Sequence, residues 1–365
     1  MKRLALLLGS LLVVTAAASA KEVVPAPVVV EEAPVQIVEK EVIVYRDKEE
    51  GFRPNGFVSL EYRYYGDTEN KGYSTDWNPN NNYSRTQLEG KIQMTEKQAL
   101  DFRVRGYNSL DHNETAAGSK LNGTDTRLRY YYNHGLVGDS KADMTSFVRY
   151  EKNYEDVQTL EYQLKFQLAD YLFNNDFIKT TSFEVGPRYM YSWSSDNSSK
   201  YTNTLGLYLD WINQLPWGFS TEVEIDGIHY NMFGKDAEKA DGKADNLKDD
   251  EFGVFGVAAK VMHDANLYTN GAYSLDWHFE GGYDTYNWSN LDRYAAAVKG
   301  NTHWDDSTYE LYAQPNLTLS YQATNFVTLY GTLGAEYRNW NFINESEAQE
   351  WRWQPYAVVG FKTTF

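Results

Sequence analysis

From Asn55 onward, apolar and polar residues alternate with a period of two. In RTQLEGKIQM, Thr86, Leu88, Gly90, Ile92 and Met94 fall on one face, and Arg85, Gln87, Glu89, Lys91 and Gln93 on the other. After the short polar stretch TEKQ, Leu100, Phe102 and Val104 oppose Asp101, Arg103 and Arg105. The same division sets Leu160, Tyr162, Leu164 and Phe166 against Glu161, Gln163, Lys165 and Gln167. It sets Phe219, Thr221, Val223 and Ile225 against Ser220, Glu222, Glu224 and Asp226. Each is a strand with one apolar and one polar face. The pattern predicts strands over 56–66, 84–94, 98–108, 126–134, 141–151, 158–168, 179–193, 201–213, 218–230, 251–263, 272–287, 307–322, 326–340 and 348–365. That is an all-β chain of about 14 strands, with 12 to 16 open. An even count is what a transmembrane antiparallel up-and-down β-barrel with both termini on one side requires.

The connections alternate in length. TEKQ, GLVGD, QLPWG and QATNF are short, whereas DTENKGYSTDWNPNNN, SLDHNETAAGSKLNGT, MFGKDAEKADGKADNLKDD and NWSNLDRYAAAVKGNTHWDD are long and polar. Short periplasmic turns and long extracellular loops have this rhythm. A soluble sandwich would bury one face of each strand as its core. Here one face of nearly every strand is charged, so the sandwich reading fails.

The two ends differ from the middle. Lys2 and Arg3, the apolar run Leu4 to Val14 and Ala18-Ser19-Ala20 read as a signal peptide over 1–20, cleaved near Ala20. The apolar run is short of the roughly 20 residues of a spanning helix. Residues 21–54, with Pro25, Pro27 and Pro34, read as a periplasmic N-terminal extension, and 55–365 as the outer-membrane barrel. The last stretch, WRWQPYAVVGFKTTF, places Ala357, Val359, Phe361 and Thr363 on one face and ends on Phe365. Such an end resembles the signal read by the bacterial barrel-assembly machinery.

Composition adds little to the fold but narrows the function. The 365 residues include 30 Tyr, 17 Phe and 10 Trp, the stock needed for girdles at two membrane interfaces. Tyr62, Tyr64, Tyr130, Tyr132, Trp193, Trp211, Trp217, Trp351 and Trp353 near strand ends are assigned there. A mean hydropathy of −0.61 is compatible with a barrel, whose lumen face is polar. There is no cysteine, so stability cannot come from disulfides. The formal charge is −17, or −19 once Lys2 and Arg3 are removed. That argues against a nucleic-acid partner and favours cations in an acidic pore.

A pore has a lining rather than a catalytic centre. The early strands carry an inward basic set, Arg85, Lys91, Arg103, Arg105, Arg127, Arg129 and Arg149. The later ones carry an inward acidic set, Glu222, Glu224, Asp226, Asp276, Glu280, Asp284, Glu310 and Glu336. In a closed barrel these face each other and impose a transverse field. The plainer alternative is that lumen charges pair across neighbouring strands, as Arg103 could with Glu89. The segment from Asp67 to Asn82 is a candidate constriction loop. An enzyme would need a clustered His with Ser or Asp. His112, His134, His229, His263, His278 and His303 are scattered and fit no nucleophile motif. No paired-His metal spacing or glycine-rich phosphate loop occurs, so no cofactor and no metal are expected. The function expected is a general diffusion channel for ions and small hydrophilic solutes, weakly cation-preferring. The alternative is a surface adhesin whose barrel is a scaffold for the loops.

The stretches MKRLALLLGSLLVV, EKEVIVYRD, RPNGFVSLEYRYYG, EGGYDTYN, ELYAQPNLTLSY, WRWQP and the final TF together resemble the fusobacterial major outer-membrane porins, the FomA-like family, over essentially the whole chain. The resemblance implies a voltage-responsive, water-filled, general diffusion porin that is trimeric and abundant at the cell surface. Members of the family are implicated in adhesion between bacterial cells and in immune recognition.

Overall fold

Alternation at a period of two leaves each strand with one face that suits lipid and one that suits water. A sheet of such strands buries both only by closing on itself. The computed structural model describes residues 51–68, 82–110, 122–153, 157–194, 201–233, 251–289, 294–298, 301–305, 307–339 and 351–365. Its strands are β1 (Asn55–Tyr65), β2 (Tyr83–Gln93), β3 (Gln98–Ser109), β4 (Gly123–Leu136), β5 (Asp143–Lys152), β6 (Val157–Gln167), β7 (Lys179–Ser194) and β8 (Tyr201–Gln214). They continue as β9 (Phe219–Phe233), β10 (Glu251–Asn270), β11 (Tyr273–Ser289), β12 (Tyr294–Val298), β13 (Asn301–Asp305), β14 (Ser307–Gln322), β15 (Val327–Asn339) and β16 (Trp351–Thr364). Fourteen of them form one closed antiparallel barrel in sequence order, and β12 and β13 form a separate two-stranded sheet. The fourteen barrel strands are 10 to 20 residues long, enough for a tilted crossing of a membrane.

Closure is made by β1 and β16, which pair from Phe57↔Thr364 to Tyr65↔Tyr356. The pairing is finished by reciprocal backbone bonds: Gly56 N donates to Phe365 O at 3.0 Å, and Phe365 N to Gly56 O at 3.1 Å. The terminal residue is therefore zipped into the seam. Beside it, on β15 and β16, two rings lie over two glycines. Tyr330 covers Gly360 and Tyr356 covers Gly334, and a Cβ on either glycine would stand 2.6 or 2.4 Å from the ring. Only glycine leaves room for these inward rings. Tyr65, Tyr356 and Val358, with Tyr83 and Tyr330 against them, make a small apolar cluster on this side of the lumen. The nine aromatics assigned to girdles leave these inward tyrosines out.

Burial identifies the faces. Inside a closed barrel the side chains converge and cover one another, while outside they splay. The most enclosed large side chains are Arg352 and Gln354 (1% exposed) and Glu161 (2%), whereas Leu333 (71%), Val359 (61%) and Leu205 (58%) stand open. This inverts the core of a soluble domain and matches a transmembrane barrel.

The largest difference from the expected strands is β10, which runs to Asn270 instead of ending near 263. A register shift between Asn266 and Tyr268 breaks the alternation, so Leu267 and Tyr268 are both exposed and the stretch reads as a loop. The strand turns at Gly271, whose φ of 58° suits glycine. Asn270-Gly271 is the sequence signal that marks it. The hairpin β12–β13 lies within what the pattern gave as one long loop. Residues 1–50, on which the signal peptide and most of the extension were placed, lie outside the described residues. So do 69–81 of the candidate constriction segment.

Candidate pore lining

Strands about 4.8 Å apart and tilted by about 40° give fourteen of them a backbone radius of about 14 Å. Side chains from opposite walls do not meet across such a lumen, so the lining is set by what each wall holds.

Strands β1 to β7 carry most of the inward arginines; Arg338 and Arg352 face each other in register on β15 and β16. Tilt means that residues at one height drift by about 1.2 positions per strand against the pairing register. The inward arginines follow this drift. Arg63 pairs directly with Arg85. Arg105 lies two positions from the partner of Arg85, Arg127 two from that of Arg105, and Arg149 two from that of Arg127. Two positions beyond the partner of Arg149 is Gln163, whose own partner is Arg188. Six guanidiniums thus form a nearly level belt around half of the barrel.

Few carboxylates serve this belt, and three of the four are shared. Glu61 lies 3.3 Å from Arg85 and 3.5 Å from Arg63. Glu151 lies 3.3 Å from Arg149 and 3.7 Å from Arg103. Glu161 lies 2.6 Å from Arg149 and 3.9 Å from Arg188, and Gln163 also donates to it. Asp101 holds Arg127 at 3.5 Å. Glu89 stands opposite Arg103 in the register, yet its described hydrogen bonds come from Gln87 at 2.8 Å and Ser59 at 3.4 Å. Arg105 Nε donates to the Gln87 amide oxygen at 2.5 Å. Among the described residues, neither Arg105 nor Arg129 is ion-paired to a carboxylate. Lys91 sits lower on β2, opposite Asp101.

Strands β8 to β15 reverse the proportions. Arg338 Nη1 lies 2.5 Å from Asp284 and 2.5 Å from Glu310, and its Nε meets Glu336. One guanidinium therefore holds three carboxylates that arrive from β11, β14 and β15. Lys260 pairs with Glu222 at 3.0 Å. Glu280 accepts from the Tyr312 hydroxyl at 2.5 Å, and among the described residues neither Glu280 nor Glu224 is ion-paired to a cation. Asp276 lies near the short-turn end, held by Asn266 at 2.7 Å and Ser274 at 2.9 Å. The backbone of Asp226 is in β9, but its side chain lies outside the described residues.

The ring order of the strands sets the two groups apart. Counting round the barrel, β11 is the seventh strand from β4 in either direction. Arg129 on β4 and Glu280 on β11 are therefore diametrically placed. The walls assigned from the sequence did not include two residues around which these ion pairs gather, Arg338 and Glu161. Their importance lies in register: a three-strand convergence cannot be seen until the strands are aligned.

The histidines form no catalytic relay among the described residues. His134 Nε2 lies 2.8 Å from Ser146 Oγ, and His278 Nδ1 lies 2.6 Å from Asp264 Oδ1. His263 Nε2 lies 3.1 Å from the Trp217 carbonyl. None joins a hydroxyl to a carboxylate. Among the described residues no group of three or more His, Asp or Glu is arranged to hold a metal ion.

No family model and no curated protein matches the chain. Among solved structures, a bacterial polysaccharide outer membrane secretin aligns with TM-score 0.40 at 11% identity, covering 85% of this chain and 98% of that one. The NanC porin aligns with TM-score 0.35 at 11% identity, over 84% of this chain and 100% of the other. An anion-selective porin from Comamonas acidovorans aligns with TM-score 0.32 at 10% identity, over 86% and 99%. The outer membrane phospholipase A from Escherichia coli aligns with TM-score 0.31 at 12% identity, over 90% and 94%. Likeness this remote assigns no activity to this chain.

Proposed function

We propose that this protein is an outer-membrane porin, a water-filled diffusion channel for ions and small hydrophilic solutes with a weak preference for cations. One observation carries the reading: the barrel buries charge inside and exposes apolar side chains outside. Lipid solvates the outer face, and the inner face needs water to solvate charges that no neighbour neutralises. The cation preference is supported by the carboxylate excess on β9 to β15 and by the net charge of −17. In this reading the short-turn end, which also holds both barrel termini, is periplasmic, and the other end faces outward. A signal peptide over 1–20 would export the chain, which together with the barrel fits the outer membrane of a Gram-negative bacterium, and the family resemblance suggests a homotrimer.

Planar-bilayer recording of the purified full chain tests the proposal. Stepwise openings, with a reversal potential on the cation side in a salt gradient, are expected. A protein that inserts as a folded barrel without raising conductance would overturn it and leave the adhesin reading, with the barrel as a scaffold for its loops.

A further inference from the structure

A general channel admits solutes by size, but this lumen holds more than size selection requires. On one wall some carboxylates are each shared by two guanidiniums, as Arg149 and Arg188 share Glu161. On the other, several carboxylates share one cation, as at Arg338. Each wall therefore keeps residual charge after its internal pairing. Arg105 and Arg129 carry that residue on one side, and Glu224 and Glu280 on the other.

We infer that the solutes this pore favours are small zwitterions, molecules bearing a carboxylate and an ammonium group a few ångströms apart, such as amino acids and short peptides. The inference rests on the channel reading above. A solute in the lumen meets a field directed from the β3–β4 wall toward the β9–β11 wall. An uncharged solute gains nothing from it, having no separated charges to align. A net anion gains at the arginines but is repelled by the carboxylates, and a net cation meets the reverse. A zwitterion with its carboxylate toward the side of Arg105 and Arg129 and its ammonium toward that of Glu224 and Glu280 is aligned with this field and stabilised by it without touching both walls. Its net charge is zero, so it is held against neither wall strongly enough to stop moving. Conduction requires binding this weak.

Swelling of proteoliposomes containing the full chain tests the inference, with alanine and its uncharged isomer lactamide as probes and protein-free vesicles as the blank. The two have the same atoms and nearly the same size and differ in charge separation. Alanine is expected to enter several-fold faster than lactamide. The ratio should fall toward one in Arg105→Gln/Arg129→Gln, and again in Glu224→Gln/Glu280→Gln. Equal rates in the wild type would overturn the inference even if neither variant folds. A ratio unchanged in folded variants of both walls would also overturn it. A barrel that admits neither probe above the blank, and shows no conductance, would overturn the channel reading itself.

Discussion

On β5 to β7 one carboxylate, Glu161, lies between two guanidiniums; on β11 to β15 one guanidinium, Arg338, lies among three carboxylates. The two sites are inverses built on the same scaffold, and each neutralises its wall only in part. They differ in depth. Glu161 is 2% exposed, whereas Asp284 in the Arg338 site has half of its side chain open to solvent. A buried shared ion has little water to replace a lost partner, while a half-exposed one has much. Glu161 should thus matter more for holding the barrel together, and Arg338 more for what passes through it.

Breaking each hub tests that division. Glu161→Gln takes their shared anion from the enclosed Arg188 and from Arg149, which keeps Glu151, and is expected to cost about 4 kcal/mol, read as a lowered urea midpoint in lipid vesicles. Arg338→Gln should cost less, about 3 kcal/mol, because two of its three acids reach solvent. It should raise the cation-to-anion permeability ratio several-fold, since three carboxylates then face the lumen without their cation. If Glu161→Gln moved selectivity more than Arg338→Gln, the division would be wrong.

Two smaller changes sharpen the contrast. Gly360→Val drives a side chain into the Tyr330 ring and should cost about 2 kcal/mol by overpacking the seam. The reversal potential should stay where it was, which separates loss of stability from loss of charge. Lys260→Gln frees one carboxylate, Glu222, and not three. Its pair is partly solvated, so the stability cost should be at most about 1 kcal/mol. Its selectivity shift should have the sign of the Arg338 effect and be smaller.

Much of this was legible in the chain. The alternation over 84–94 and 98–108 gave β2 and β3 to within a residue, because a side-chain period of two in a half-lipid strand has no other solution. It failed where the backbone departs from that period: at β10, where the shift between Asn266 and Tyr268 hides seven residues of strand. The same alternation sets Arg103 and Glu222 on the face opposite their apolar neighbours. Partnership did not follow. Glu89, the cross-strand neighbour of Arg103, is bonded to Gln87 and Ser59, while Arg103 lies beside Glu151 two strands away. Arg103 and Glu151 lie on one register line through Arg127, so a long side chain reaches past its nearest cross-strand neighbour to the next strand but one. The inward tyrosines escaped for a related reason. Aromatics near strand ends suit a girdle, yet Tyr356 alternates with the outward Ala357 and Val359, and the facing Gly334 and Gly360 make room for Tyr356 and Tyr330 to point inward.

The central claim is that two walls of opposite residual charge face each other across the lumen. It is tested most directly by reversal potential in a salt gradient for Glu222→Gln/Glu224→Gln and Arg105→Gln/Arg129→Gln, each against the wild type. The first is predicted to move the potential toward anions and the second toward cations, by shifts of opposite sign. Shifts of the same sign, or no shift in either, would contradict it.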